Sequence, residues 1–171
     1  MSNALKEILK TAIQVEINGY QSFLKFARET TDESGKKMFE QLAQEEIEHR
    51  ELLEKQLAHL EAGGVLTQIQ IPPSNIEMLL PKIREKQMRT KGSDGLGQVD
   101  ALKAALDLEI KAAQFFRDKA SEIDAPEIKE MFIRLAEWED SHYDLIHAEL
   151  DHINNTGSWF GIPEFRMDGT F

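Results

Sequence analysis

Four stretches of the chain place apolar residues every three or four positions, the spacing that lines one face of an α-helix. The first predicts a helix over 3–29, with Leu9, Ala12, Glu16, Gly19, Phe23 and Ala27 on its deepest seam. A polar turn, Thr30–Gly35, follows. The second helix is expected from Lys36 to Ala62, with Phe39, Leu42, Glu46, His49, Leu53 and Leu60 inward and Gly63-Gly64 as its stop. The third is expected to begin at Asp100, a good N-cap, and to reach Ile123, with Leu102, Ala105, Glu109, Ala112 and Phe116 inward. Asp124-Ala125-Pro126 then puts proline at the first position of a fourth helix, which runs to about Ile153. Its inward residues are Phe132, Leu135, Glu139, His142, Ile146 and Leu150, and Asn154-Asn155-Thr156-Gly157 ends it. A glutamate interrupts the apolar seam of every helix, and a histidine joins it on the second and fourth.

The interruptions repeat. Residues 9–59 set over 102–152 without a gap give 19 identical pairs out of 51. Glu16 falls on Glu109, Glu46 on Glu139 and His49 on His142, while Met38, Phe39, Leu42 and Ala43 return as Met131, Phe132, Leu135 and Ala136. A helical hairpin cannot bury its apolar stripe alone, so two copies are expected to pack as a four-helix bundle. The fold class expected is all-α, two repeated hairpins (3–62 and 100–153) joined by a long crossover (63–99). The bundle would occupy 1–153, followed by an aromatic tail over 154–171.

The connecting stretch contains Pro72-Pro73, a Ser74–Glu77 capping box for a short helix, a proline limit at Pro81, and the glycines Gly92, Gly95 and Gly97. Its Lys82, Arg84, Lys86, Arg89 and Lys91 form a basic run that reads as solvated linker. Trp159, Phe160, Phe165 and Phe171 in the tail read as a segment packed back on the bundle, or as a partner-binding one.

Composition narrows the chemistry. The 171 residues contain no cysteine, which excludes disulfides, thiolate catalysis and Cys-ligated iron centres. A reducing cytoplasm fits that composition. A net charge of −11 argues against nucleic acid as a partner. No apolar run is long enough to cross a bilayer and no signal peptide is evident, so no membrane partner is expected.

Glu46 and His49 lie three residues apart, about 60° around one helix face and about 4.5 Å along its axis. Apolar Leu42 and Leu53 flank them, so the pair sits on the core face; Glu139 and His142 repeat this between Leu135 and Ile146. Glu16 lies between Ala12 and Phe23, and Glu109 between Ala105 and Phe116. Four carboxylates buried together would lose hydration and repel one another unless cations compensate them. Two divalent ions match four negative charges. One Glu from each of two helices with Glu-x-x-His from the other two is the ligand pattern of a two-metal bundle. The metal ligands expected are therefore Glu16, Glu46, His49, Glu109, Glu139 and His142. Glu46 and Glu139 would bridge, Glu16 with His49 would serve one ion, and Glu109 with His142 the other. Carboxylate and imidazole donors without thiolate suit two iron ions per chain, or manganese, with zinc also able to occupy the site. Glu45 and Glu48 read as solvated neighbours. His59 and His152 stand about 15 Å along the axis from His49 and His142, too far to ligate the same ions.

On these residues, across 9–62 and 100–153, the chain resembles the rubrerythrin-like branch of the ferritin-like superfamily. Ala12-Ile13-Gln14-Val15-Glu16-Ile17-Asn18-Gly19 and Leu42-Ala43-Gln44-Glu45-Glu46-Ile47-Glu48-His49 look like that family's helices. The resemblance implies a ferritin-like diiron bundle that reacts with hydrogen peroxide or dioxygen, and often a homodimer. Three departures stand out. The cysteines of a rubredoxin domain are missing, so a separate electron donor is expected. Ala112 occupies the place of a further glutamate, and Phe23 and Phe116 stand where tyrosines are common. Iron oxidation for storage or detoxification, and a bundle with purely structural metals, are the competing readings. A second apolar stripe on the first helix, Ile13, Ile17, Tyr20 and Leu24, points to a homodimer, because the repeat replaces Tyr20 by Ala113 and Leu24 by Arg117, with the crossover or the aromatic tail as the alternative cover.

Overall fold

The computed structural model describes residues 2–64 and 96–156. They form four helices, α1 (Ser2–Glu29), α2 (Glu33–Glu61), α3 (Leu96–Glu122) and α4 (Pro126–Thr156), and no strand. The helix expected after Ser74, the basic run and the aromatic tail lie outside the described residues.

The helix boundaries follow from local chemistry, in places against expectation. Asp32 caps α2: its carboxylate accepts from the Ser34 and Gly35 backbone N–H groups at 2.8 and 3.3 Å. Helix therefore starts within the stretch read as a turn, and Gly35 is a buried helical residue. Asp100 is not an N-cap. The helix begins at Leu96, which leaves Asp100 exposed inside its first turns. Pro126 does open α4, where its missing N–H costs nothing. Gly63, at φ 73°, turns the chain out of α2 in the left-handed conformation, and Gly64 donates back to the His59 carbonyl at 3.0 Å. The fourth helix continues through Asn154 and Asn155 to Thr156 rather than stopping near Ile153.

α1 packs along α2 and α3 along α4, and α1 also touches α3. The core divides into two apolar layers. One gathers Phe23 and Ala27 of α1, Phe39 and Leu42 of α2, Leu102 and Ala105 of α3, and Ile146 of α4. The other gathers Leu9 and Ala12 of α1, Leu53 of α2, Phe116 of α3, and Phe132 and Leu135 of α4. The sequence order within each layer makes α1 antiparallel to α2 and α3, and parallel to α4. The chain thus leaves α2 at one end of the bundle and enters α3 at the other, as a crossover topology requires.

Repeat-related phenylalanine pairs anchor the two layers. Phe23 and Phe39 stack at 6.3 Å between ring centroids, and Phe116 and Phe132 meet edge to face at 5.6 Å. All four are fully buried, each contributing on the order of 2 kcal/mol through the apolar area removed from water. Every expected seam residue is buried except Leu60, which is half-buried at the layer's edge while Gln56 lies inside.

Because the Asp32 carboxylate satisfies two N–H groups that the helix itself cannot, Asp32→Ala is expected to cost about 1 kcal/mol of folding stability. Denaturant unfolding of the variant beside the parent protein measures this, with the slope of the transition unchanged.

Candidate metal centre

Between the two apolar layers all four helices turn polar side chains inward at one level. Glu16 comes from α1, Glu46 and His49 from α2, Glu109 from α3, and Glu139 and His142 from α4, each no more than 2% exposed. The structure brings the six sequence-predicted residues into one cluster.

Both imidazoles present Nδ1 to the centre. His49 Nδ1 lies 3.6 Å from Glu16, 3.9 Å from Glu46 and 3.4 Å from Glu139. His142 Nδ1 lies 3.3 Å from Glu109, 3.4 Å from Glu46 and 3.6 Å from Glu139. Two groups of four donors result, Glu16–Glu46–His49–Glu139 and Glu46–Glu109–Glu139–His142, which share Glu46 and Glu139. The rings are nearly parallel, with centroids 5.4 Å apart.

Close approach of the backbone makes room for this cluster. Gly19 sits where a Cβ would come within 3.0 Å of the Glu46 carboxyl group, tighter than ordinary contact. Glycine in a helix interior costs roughly 0.5–1 kcal/mol relative to alanine. Here its missing Cβ leaves the carboxylate its place. The repeat position on α3 is Ala112.

The electrostatics are those of acids forced together. Burial, with neighbouring carboxylates, pushes Glu16, Glu46 and Glu109 well above the ordinary carboxyl value. Burial acts on Glu139 in the same direction, but the facing imidazoles of His142 and His49, 3.6 and 3.4 Å away, win and hold it below that value. Burial disfavours a charged His142, yet Glu109, Glu139 and Glu45 raise its proton affinity well above that of a free imidazole. Glu139 is the acid of the six that both imidazoles pull towards its charged form.

Glu45 corrects the sequence reading. It is 2% exposed, not solvated, and its Oε2 lies 3.3 Å from His142 Nε2. Burial alone would raise its pKa, but the contact with His142 lowers it on balance. The repeat held a clue to this. The equivalent position in the second hairpin is Trp138, a residue that a solvated position rarely carries. Trp138 is 3% exposed and stacks on His49, with centroids 4.4 Å apart and planes at 14°. Glu48 is exposed as expected, and His59 and His152 lie outside the cluster.

Nine donor atoms of the six residues, both Nδ1 atoms among them, are buried without a hydrogen-bond partner. Buried polar atoms are nearly always satisfied, so a convergent unsatisfied set is a fit for cations. A crossover four-helix bundle that converges carboxylates and imidazoles from every helix is a ferritin-like bundle with a carboxylate-rich metal centre. The family model described as Rubrerythrin matches residues 7–150, and the chain belongs to that family. Membership places it among the diiron-carboxylate proteins of the ferritin-like superfamily. No curated protein and no solved structure matches it.

The metal-free protein should have an inverted pH profile. Glu16, Glu46, Glu109 and His142 hold protons more tightly folded than unfolded. Their contribution is complete below the ordinary values of 4.5 and 6.5 and is lost as pH rises through the raised folded values. Glu139 and Glu45 act oppositely, stabilising above 4.5 and losing that contribution as pH falls through their lowered folded values. Melts in chelator should show stability falling from about pH 5 to about pH 8. A melting temperature that climbs across that range would contradict the clustering of the acids.

Proposed function

We propose that the protein is a diiron-carboxylate oxidoreductase that reduces hydrogen peroxide or dioxygen, with two iron ions per chain held by Glu16, Glu46, His49, Glu109, Glu139 and His142. One observation carries the reading: the two four-donor groups that share Glu46 and Glu139. A ferrous pair supplies two electrons, enough to take hydrogen peroxide and two protons to two waters.

The chain's own residues prepare that reaction. Glu46 and Glu139 each face both imidazoles, the position of bridging carboxylates. Glu16 faces only His49, and Glu109 only His142, as terminal ligands to one ion each would. Fully buried Phe23 and Phe116 wall the seams on either side, where no hydroxyl competes for the donors. Manganese or zinc suits the same donors, but only a redox pair gives the proposed reaction. With no cysteine in the chain, electrons for the next turnover come from a separate donor. No described helix is long and apolar enough to cross a membrane, and a cytoplasmic setting goes with the cysteine-free composition.

Stopped-flow mixing of the anaerobic ferrous protein with each oxidant tests the reading. At least one oxidant should oxidise the bound iron within seconds, and turnover should then stall until a reductant is supplied. Continued oxidation of ferrous ion well beyond the bound pair would favour iron handling. No oxidation by either would leave the metals a structural role.

A homodimer belongs to the same proposal. Ile13, Ile17, Tyr20 and Leu24 remain half-exposed on α1. The repeat position of Leu24, Arg117, instead pairs with Asp140 of α4, although Ile110, the repeat of Ile17, stays exposed on α3. Light scattering is expected to give twice the chain mass, and Leu24→Arg to shift it towards one chain. A monomeric parent protein would refute the dimer.

A further inference from the structure

The two halves of the centre are not alike beyond the six residues. On one side the His142 imidazole lies between two sets of carboxylates. Its Nδ1 faces Glu46, Glu109 and Glu139, and its Nε2 faces Glu45 at 3.3 Å. Glu45 is itself fixed, because the Gln41 side-chain amide donates to its other oxygen at 3.2 Å. A carboxylate behind a ligating imidazole keeps the proton on the outer nitrogen, orients the ring and strengthens the inner nitrogen as a donor.

On the other side the repeat replaces that carboxylate with Trp138. An indole has one N–H donor and no acceptor, so it cannot take a proton from His49. It packs flat against the ring instead. Glu45 comes within 4.8 Å of a His49 nitrogen, beyond hydrogen-bond reach, and no carboxylate pairs with His49 Nε2 among the described residues. Stacking restrains the tilt of the ring but leaves the proton on its nitrogens unassigned.

We infer that the two metal positions are inequivalent: the His142 position fills first because Glu45 orients that imidazole and backs its outer nitrogen, and the His49 position, backed only by Trp138, fills second and exchanges more readily. Glu45 is a positioning residue, acting through His142. The inference rests on the reading of the six residues as a two-ion site. Loss of a carboxylate behind a metal-bound histidine typically weakens the metal about 10- to 100-fold. That is the difference expected between the two positions.

The test uses zinc, which binds without oxidation, and the full chain with ¹⁵N-labelled imidazoles. During titration of the metal-free protein, the ring signals of His142 should move with the first equivalent and those of His49 with the second. In Glu45→Gln, which keeps the shape of the side chain but not its charge, the first step should weaken about 10- to 100-fold and the two histidines should respond together. Trp138→Phe keeps a ring over His49 and should leave the order intact. If both respond together the positions are equivalent, and if His49 responds first the order is reversed; either result overturns the inference whatever the variants do. Retention of the parent order in Glu45→Gln would remove Glu45 from the account. A third zinc equivalent, lost with Glu45→Gln, would make Glu45 a ligand and overturn its positioning role. Failure to bind zinc at all would sink the two-ion reading itself, a result distinct from two ions bound without order.

Discussion

Four carboxylates at the centre of a helical bundle repel one another, and the two apolar layers that flank them deny them water. The fold holds both conditions at once. Repeat-related phenylalanine pairs anchor the layers, and the helices run unbroken through the polar level between them. The apolar burial that closes the bundle forces the acids together, and protons or cations must resolve the resulting charge. Without cations, burial and mutual repulsion push Glu16, Glu46 and Glu109 towards holding protons, while the facing imidazoles pull Glu139 and Glu45 the other way. Cations would resolve the same conflict without protonation. Stability and metal affinity are therefore opposite faces of one constraint.

The duplication explains the near-symmetry of the centre, and the places where it has decayed give each half its own character. Gly19 lets α1 approach the Glu46 carboxyl group closely, whereas its counterpart Ala112 does not need to be glycine. Glu45 and Trp138 occupy one register in the two hairpins and do unlike things to the two imidazoles. Arg117 pairs with Asp140, where Leu24 gives the first hairpin an apolar edge.

Much of this was legible in the sequence because the repeat multiplies a weak pattern. A glutamate on a helix says little. Glutamates at matched inward positions in two copies, each with apolar neighbours three and four residues away, identify a shared interior, and all six did converge. Glu45 was missed because a single seam underestimates the buried arc of a bundle helix. α2 buries Met38, Leu42, Glu45 and His49 as well as Phe39 and Glu46, a face wide enough to meet both α1 and the opposite hairpin. α2 and α3 begin before the expected Lys36 and Asp100, because a polar stretch and a good capping residue do not by themselves fix where a helix starts. Asp32 supplies the acceptors that let Ser34 and Gly35 enter a helix, and at α3 Leu96 begins a helix that includes Gly97 and carries Asp100 as an ordinary exposed residue.

The claim on which the account turns is that these six side chains hold a pair of ions. Diffraction from crystals of the anaerobically iron-loaded protein, collected on either side of the iron absorption edge, measures it most directly. The account predicts two anomalous peaks per chain, about 3.5–4 Å apart. Both should lie between Glu46 and Glu139, one beside Glu16 and His49 and the other beside Glu109 and His142. A single peak, or iron bound elsewhere while these donors stay protonated and unligated, would contradict it.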